Sequence, residues 1–319
     1  MENDRRGCGV KVGLALGSGS ARGWSHIGVL RALNDRGIEP AIVTGSSTGS
    51  LVAASYASEQ LDALETWART LTKVDVWRLL DATLSGGGVM RGNRLMRTVG
   101  EHLEDRAIES LARPFGAVAV DLYSGREVWI QKGSMLHAVR ASSGLPGLFT
   151  PMLHEGNWLI DGGVLNPVPV SLCRALGADY VIAVNLNRRE VKKESHGPKD
   201  PATRLRRDRR GSDEANELFA RWTGLLDNFV NSIRSDRESS EPGIVEVVYN
   251  AINIMQDQIS SNRMVGDPPD LVVTPRLADF HLMDFHRAAE AIEVGYGALE
   301  ASETELDVIA RPPLLDEER

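Results

Sequence analysis

Cysteine is close to absent from this chain of 319 residues. Cys8 and Cys173 are too few for a disulfide framework and stand at no zinc-ligand spacing, so a reducing compartment is expected and the cytoplasm fits. Neither a metal nor another cofactor is called for. Long apolar runs are missing as well. No stretch reaches the about 18 uninterrupted apolar residues of a membrane span, so any membrane contact is expected to be peripheral. Met1–Gly9 is polar and charged, without the apolar middle of a secretory signal. Positive charge is not in excess: Lys+Arg 36 against Asp+Glu 44 gives a formal net charge of −8. The one basic block, Arg204–Arg210, lies among acids, and no nucleic-acid partner is expected.

What remains is an ordinary globular composition, 42% apolar and 25% charged with Gly 31, long enough to bury a sizeable core. Val10–Leu16 reads as a buried strand, Trp24–Arg36 as a helix stopped by Gly37, Pro40–Thr44 as a second strand and Ser50–Lys73 as a second helix. This β-α-β-α opening with buried strands argues for parallel pairing and an α/β fold. Further on, Arg91–Leu111, Ser134–Ser142 and Val168–Leu176 read as helices, and Phe115–Asp121, Glu127–Gln131, Trp158–Ile160 and Tyr180–Leu186 as strands. The pattern suggests a single domain: a core over about 10–186, a charged, mobile loop over 187–213, and C-terminal helices with one strand over 214–310. The helices Glu214–Ser235 and Ile244–Arg263 repeat apolar residues at helical spacing, which suits core packing, a lid, a membrane-docking face or a homo-oligomer contact.

The most informative segment is Gly45-Ser46-Ser47-Thr48-Gly49, between the second strand and the second helix. A G-x-S-x-G pentapeptide in that setting forces its serine into a sharp turn and exposes the hydroxyl at the sheet edge. Gly45 and Gly49 leave room for the tight backbone, and the first amides of the following helix favour negative charge nearby. Ser47 is therefore a candidate nucleophile.

A nucleophilic serine needs an anion hole and a base. Gly17-Ser18-Gly19-Ser20-Ala21-Arg22-Gly23 follows the first strand and opens the first helix, and its small residues allow consecutive amides to share one concavity. A dinucleotide fingerprint would place an acid at the end of the second strand, where this chain has Thr44-Gly45-Ser46-Ser47. A Walker loop needs Gly-Lys-Ser/Thr, which Arg22-Gly23-Trp24 is not; a plain glycine-rich turn stays open. For the base, His26, His154, His196, His281 and His286 share no motif. Asp161 ends a strand and is followed by Gly162 and Gly163, which permit close approach; an apolar setting would raise its pKa, although Asp-Gly is also a common turn dipeptide.

Taken together, Leu16–Leu30, Gly45–Gly49, Asp161-Gly162-Gly163 and the loop Ala141–Pro151 resemble the patatin-like phospholipase family, most closely its short bacterial members and the neuropathy-target-esterase branch. The resemblance runs from about Val10 to Leu186. It implies a three-layer α/β/α fold around a central, mostly parallel sheet, and a Ser–Asp dyad without histidine: Ser47 as nucleophile, Asp161 as base. It also implies an oxyanion hole from the Ser18, Gly19, Ser20, Arg22 and Gly23 loop, with Arg22 holding the loop or meeting an anionic group. The expected substrate is a lipid or other acyl ester. Where many members carry consecutive glycines, this chain has Gly17-Ser18-Gly19-Ser20, which affects loop shape more than chemistry. Acyl transfer to an acceptor other than water, and a regulatory protein with a vestigial site, are the competing functions.

Overall fold

In a computed structural model of the chain, residues 10–79, 88–188 and 244–301 are described. The expected helix Glu214–Ser235, nearly all of the 187–213 loop, the tail from Ala310, and the residues Cys8 and His196 lie outside them. Two compact units separate along the chain, residues 1–189 with 254–319 and residues 190–253. Of the second, only 244–253 are described, the opening turns of one helix. All that follows concerns the first.

In chain order the elements are β1 (Val12–Leu16), α1 (Ser25–Asp35), β2 (Ile42–Ser46), α2 (Thr48–Ala57), α3 (Leu61–Thr70), α4 (Lys73–Arg78), β3 (Gly88–Met90) and α5 (Asn93–His102). Then come β4 (Phe115–Asp121), β5 (Glu127–Ile130), α6 (Met135–Ser142), β6 (Gly147–Phe149), β7 (Met152–His154), β8 (Asn157–Asp161) and α7 (Val170–Ala175). The chain closes with β9 (Tyr180–Val184), α8 (Ile244–Gly266), β10 (Leu271–Val273) and α9 (Ala288–Glu300). An 8-stranded sheet runs β10-β9-β1-β2-β4-β8-β7, with β5 also paired to β4, and β3-β6 form a small sheet of their own. The neighbours from β10 to β4 are parallel; β5, β7 and β8 pair antiparallel.

Alternation along the strands builds the layers. Leu14, Leu16, Val43, Ile182 and Val184 join the large core, with α1, α2, α3 and α9. Ala15, Ile42, Val181 and Ala183 face the other way, onto Val170 and Cys173 of α7. Strands apolar on both faces read as continuous runs, as expected of a sheet covered on both sides. Each fully buried Leu or Val contributes about 1.5–3 kcal/mol. The sheet is thus the middle of three layers, and the expected α/β/α architecture is present.

The expected second helix, Ser50–Lys73, is instead two. Residues Ser58–Gln60 break it, with Glu59 at φ 60 and the Gln60 carboxamide bonded to Glu104. Leu51, Ala54, Ala57, Leu61 and Leu64 are all buried across the break, so the apolar rhythm continues where the helix does not. Arg91–Leu111 likewise shortens to α5 followed by a separate turn; β6 is a short strand inside the loop Ala141–Pro151, and β3 and β7 are short strands that the sequence did not mark.

One register detail positions the site. Ala117 and Val118 of β4 pair both with Gly45 and Ser46 of β2 and with Ile130 and Trp129 of β5, so β2 and β5 occupy opposite edges of β4. Ala119 and Val120 pair both with β5 and with Asp161 and Ile160 of β8, so β8 lies on the β2 edge. Where β2 turns off into α2, β8 comes in antiparallel along the same edge. The ends of the two strands meet.

Candidate active site

Ser47 stands at that meeting point, as the N-cap of α2 with φ 55 and ψ −128. A non-glycine residue there is strained, and the surrounding structure must hold it. Gly45 and Gly49 make this possible by packing against each other and against β1: a Cβ on Gly45 would strike Gly49 and Ser50, and one on Gly49 would strike the Leu16 and Gly17 carbonyls. The Ser47 amide donates to Ser142 Oγ at 2.9 Å. The Ser50 amide closes the first turn onto the Ser47 carbonyl at 2.9 Å, and the Thr48 amide heads α2.

Asp161 is 1% exposed at the end of β8. Its Oδ1 accepts the Gly163 amide at 2.7 Å. Its amide donates to the Gly144 carbonyl at 3.0 Å. Burial pushes its pKa up to about 6, while the Ser47 hydroxyl, acting as a hydrogen-bond donor, and the Gly163 amide pull it back. Oδ2 is buried and has no protein partner at full hydrogen-bond length and angle. The Ser47 hydroxyl is thus near enough to perturb the carboxylate, in a contact looser than a full hydrogen bond. Such contacts often tighten only when substrate binds. Gly162 lets β8 close on β4, since a Cβ would meet the Val118 carbonyl and Ser46 Oγ.

The loop after β1 splits into donors already used and donors left over. Gly17 N–H goes to Val184 O (3.0 Å), Ser18 N–H to Pro167 O (2.8 Å) and Arg22 N–H to Gly19 O (3.1 Å). The Ser18 and Arg22 amides, both expected to face an oxyanion, are therefore taken. Gly23 lies within a short 3-10 helix, Ser20–Trp24, packed so closely on Thr48 that a Cβ would collide with it. Among the described residues, the amides of Gly19 and Ser20 meet no protein acceptor at the start of that turn. Arg22 fastens the loop rather than standing open: Nη1 donates to Leu186 O at 2.8 Å, Nη2 to Asn187 Oδ1 at 3.1 Å. Ser20, at φ 51, donates its hydroxyl to Leu282 O at 2.7 Å.

Among the described residues, no histidine bonds to Ser47 or Asp161. His26 is fully buried, its Nε2 donating to Gly17 O at 2.7 Å, and burial lowers its pKa to about 4. It is a neutral brace under the loop. His154 pairs with His137 at 3.1 Å.

A patatin-like phospholipase family model matches residues 14–174. The chain belongs to the patatin-like phospholipase family. It is 34% identical over 337 residues to an uncharacterized NTE family protein of Mycobacterium tuberculosis, covering 93% of each chain. It is also 34% identical over 189 residues to human patatin-like phospholipase domain-containing protein 6, covering 57% of this chain and 14% of that one. Lysophospholipase NTE1 of Mycosarcoma maydis is 36% identical over 187 residues, covering 57% of this chain and 10% of the relative. Among solved structures, VipD from Legionella pneumophila shares the fold at a TM-score of 0.51 and 14% identity, over 92% of this chain and 66% of that one.

This patatin-like site also holds a residue the sequence did not announce. Gln256 of α8 is 5% exposed, and its Nε2 fills the space beside Gly163. A Cβ at Gly163 would clash with it while standing 2.7 Å from Ser18 Oγ and 3.0 Å from Asp161 Oδ1. A glutamine on a far-off amphipathic helix carries no motif, so only the tertiary structure reveals it. Among the described residues, no group of three or more His, Cys, Asp or Glu could hold a metal ion, and no helix is long and apolar enough to cross a membrane.

Proposed function

We propose that this protein hydrolyses carboxylic ester bonds of lipids, of the phospholipase A or lysophospholipase kind, through an acyl-enzyme on Ser47 with Asp161 as the base. The observation that carries the reading is a buried carboxylate, with pKa raised to about 6, facing the hydroxyl of a serine held at φ 55 on a helix N-terminus. Family membership and the lysophospholipase name of one relative support a lipid ester as substrate.

The Ser47 proton passes to Asp161 Oδ2 as Oγ bonds to the ester carbonyl carbon. The carbonyl oxygen takes up the negative charge and is met by the free amides of Gly19 and Ser20, with the head of α2 adding its positive end. Collapse breaks the bond to the leaving alkoxide, which takes the proton from Asp161. Water then gives a proton to the regenerated carboxylate and attacks the acyl carbon, and Ser47 recovers its hydrogen as the fatty acid leaves. A carboxylate with a pKa near 6 suits this work at neutral pH: ionised at rest, yet more basic than an exposed aspartate.

Assay of p-nitrophenyl esters and lysophospholipids with wild type, Ser47→Ala and Asp161→Asn tests the reading. Each substitution is expected to lower turnover by about three orders of magnitude or more. A fluorophosphonate should label the wild type at Ser47. Esterase activity surviving in Ser47→Ala would overturn the proposal.

A further inference from the structure

The two members of the proposed pair are held from behind by the same short stretch of chain. Ser142, the last residue of α6, offers its hydroxyl oxygen to the Ser47 amide at 2.9 Å, and Gly144, just beyond it, offers its carbonyl to the Asp161 amide at 3.0 Å. Ser142 is fully buried. Gly144 lies flat against β8, where an added Cβ would stand 3.4 Å from the Ile160 α-carbon.

This support is itself anchored at several points. Ser134 caps α6 by accepting the His137 amide at 3.0 Å, and Asp105 accepts both the Ser134 hydroxyl at 2.6 Å and the Leu136 amide at 3.1 Å. Arg140, 7% exposed, donates to the Arg91 carbonyl at 2.6 Å and the Thr150 carbonyl at 2.8 Å, tying α6 to the loops on either side of it. A helix end so constrained has little freedom to drift.

The bond from Ser142 also reaches the element most in need of support. Ser47 occupies a strained backbone conformation, and the direction of its amide fixes φ. An alanine at 142 would leave that amide without an acceptor in a partly buried place and let the elbow relax.

Resting on the proposed Ser47–Asp161 reading, we infer that Ser142 is a positioning residue which, with the Gly144 carbonyl, sets the separation and angle between the nucleophile and its base. Among the described residues it bonds the Ser47 amide and not Asp161 Oδ2. Its effect is on how often Ser47 Oγ stands in line with Asp161 Oδ2. A misplacement on the scale of 1 Å at a reacting pair costs about a hundredfold in rate.

The test compares Ser142→Ala, Ser142→Thr and Ser143→Ala, the last removing a neighbouring hydroxyl that, among the described residues, bonds back to α6 at Val139 O (2.8 Å). Ser142→Ala is expected to lower kcat by about ten- to a hundredfold with KM unchanged, and to slow fluorophosphonate labelling of Ser47 in proportion. Because the Ser47 hydroxyl pulls the Asp161 pKa down, loosening the pair should move the acid limb of kcat/KM to higher pH. Ser142→Thr, which keeps the hydroxyl, should restore both the rate and the limb; Ser143→Ala should match wild type. If Ser142→Ala does not fold, Ser142→Cys, with a weak acceptor of similar size, carries the same comparison. A Ser142 variant lacking the hydroxyl yet labelling at the wild-type rate with an unmoved limb would overturn the inference and leave the pair intact. A wild type that does not label at Ser47 would instead remove the reading beneath it.

Discussion

Ser46 and Asp161 stand opposite consecutive residues of β4, Val118 and Ala119. One edge of one strand therefore serves as the common frame for the end of β2, which delivers Ser47, and the end of β8, which delivers the carboxylate.

If the two residues act as one unit, their losses should not add. The double variant Ser47→Ala/Asp161→Asn is expected to be no slower than the worse single variant. Steady-state turnover of a p-nitrophenyl ester measures this, and a further drop of a hundredfold in the double variant would show independent roles.

The raised pKa of Asp161 gives a paired prediction on activity and stability. With Asp161 as the proposed base the carboxylate form is the active one, so kcat/KM should rise with pH through about 6. For stability the sign is the reverse. The folded protein favours the protonated acid, a contribution fully present below the unfolded value of 3.8 and lost as pH rises through about 6. Asp161→Asn should therefore be more stable than wild type at pH 8, by roughly 2–3 kcal/mol, with the advantage gone near pH 4. Urea unfolding at the two pH values reads it directly.

Ser20 holds a positive φ and an outward hydrogen bond at once. Ser20→Gly relieves the backbone and loses the bond to Leu282 O, so stability should change by no more than about 1 kcal/mol. Ser20→Ala keeps the strain and loses the bond, and should be the less stable by about 1 kcal/mol. The backbone amide is untouched in both, so kcat should stay within a few-fold of wild type. Chemical denaturation with a parallel esterase assay checks both halves.

Gly163→Ala would push a methyl group toward Gln256, Ser18 Oγ and Asp161 Oδ1 together. Activity should fall by about a hundredfold as the carboxylate is displaced. Shortening the flexible neighbour, in Gly163→Ala/Gln256→Ala, should recover part of it. The ratio of kcat between the double and the single variant is the measurement.

Much of the fold was legible because its signals are local. The apolar runs of β1, β2, β4 and β9 announce strands covered on both faces, and Gly37 and Gly177 mark where α1 and α7 give out. The break at Ser58–Gln60 was hidden because burial on either side keeps a helical rhythm, and the turn rests on Glu59 at φ 60, which no glycine flags. Within the site, the pentapeptide and Asp161-Gly162-Gly163 were visible as motifs. Which loop amides remain free was not, because Ser18 is claimed by Pro167 and Arg22 by Gly19, pairings that exist only in the folded chain. Gln256 and Ser142 were hidden for the same reason: each acts through a neighbour far away in the sequence.

The takeover of one strand edge by β8 also has a temporal meaning. A growing chain that has completed β2 and α2 carries Ser47 without Asp161, which arrives with a strand made much later. Pairings between segments far apart in the chain must meet a loop-closure cost before they are rewarded. With Ser47 and Asp161 in their proposed roles, hydrolytic power is withheld from fragments and half-formed intermediates, and ester cleavage becomes a readout of whether the whole sheet has closed.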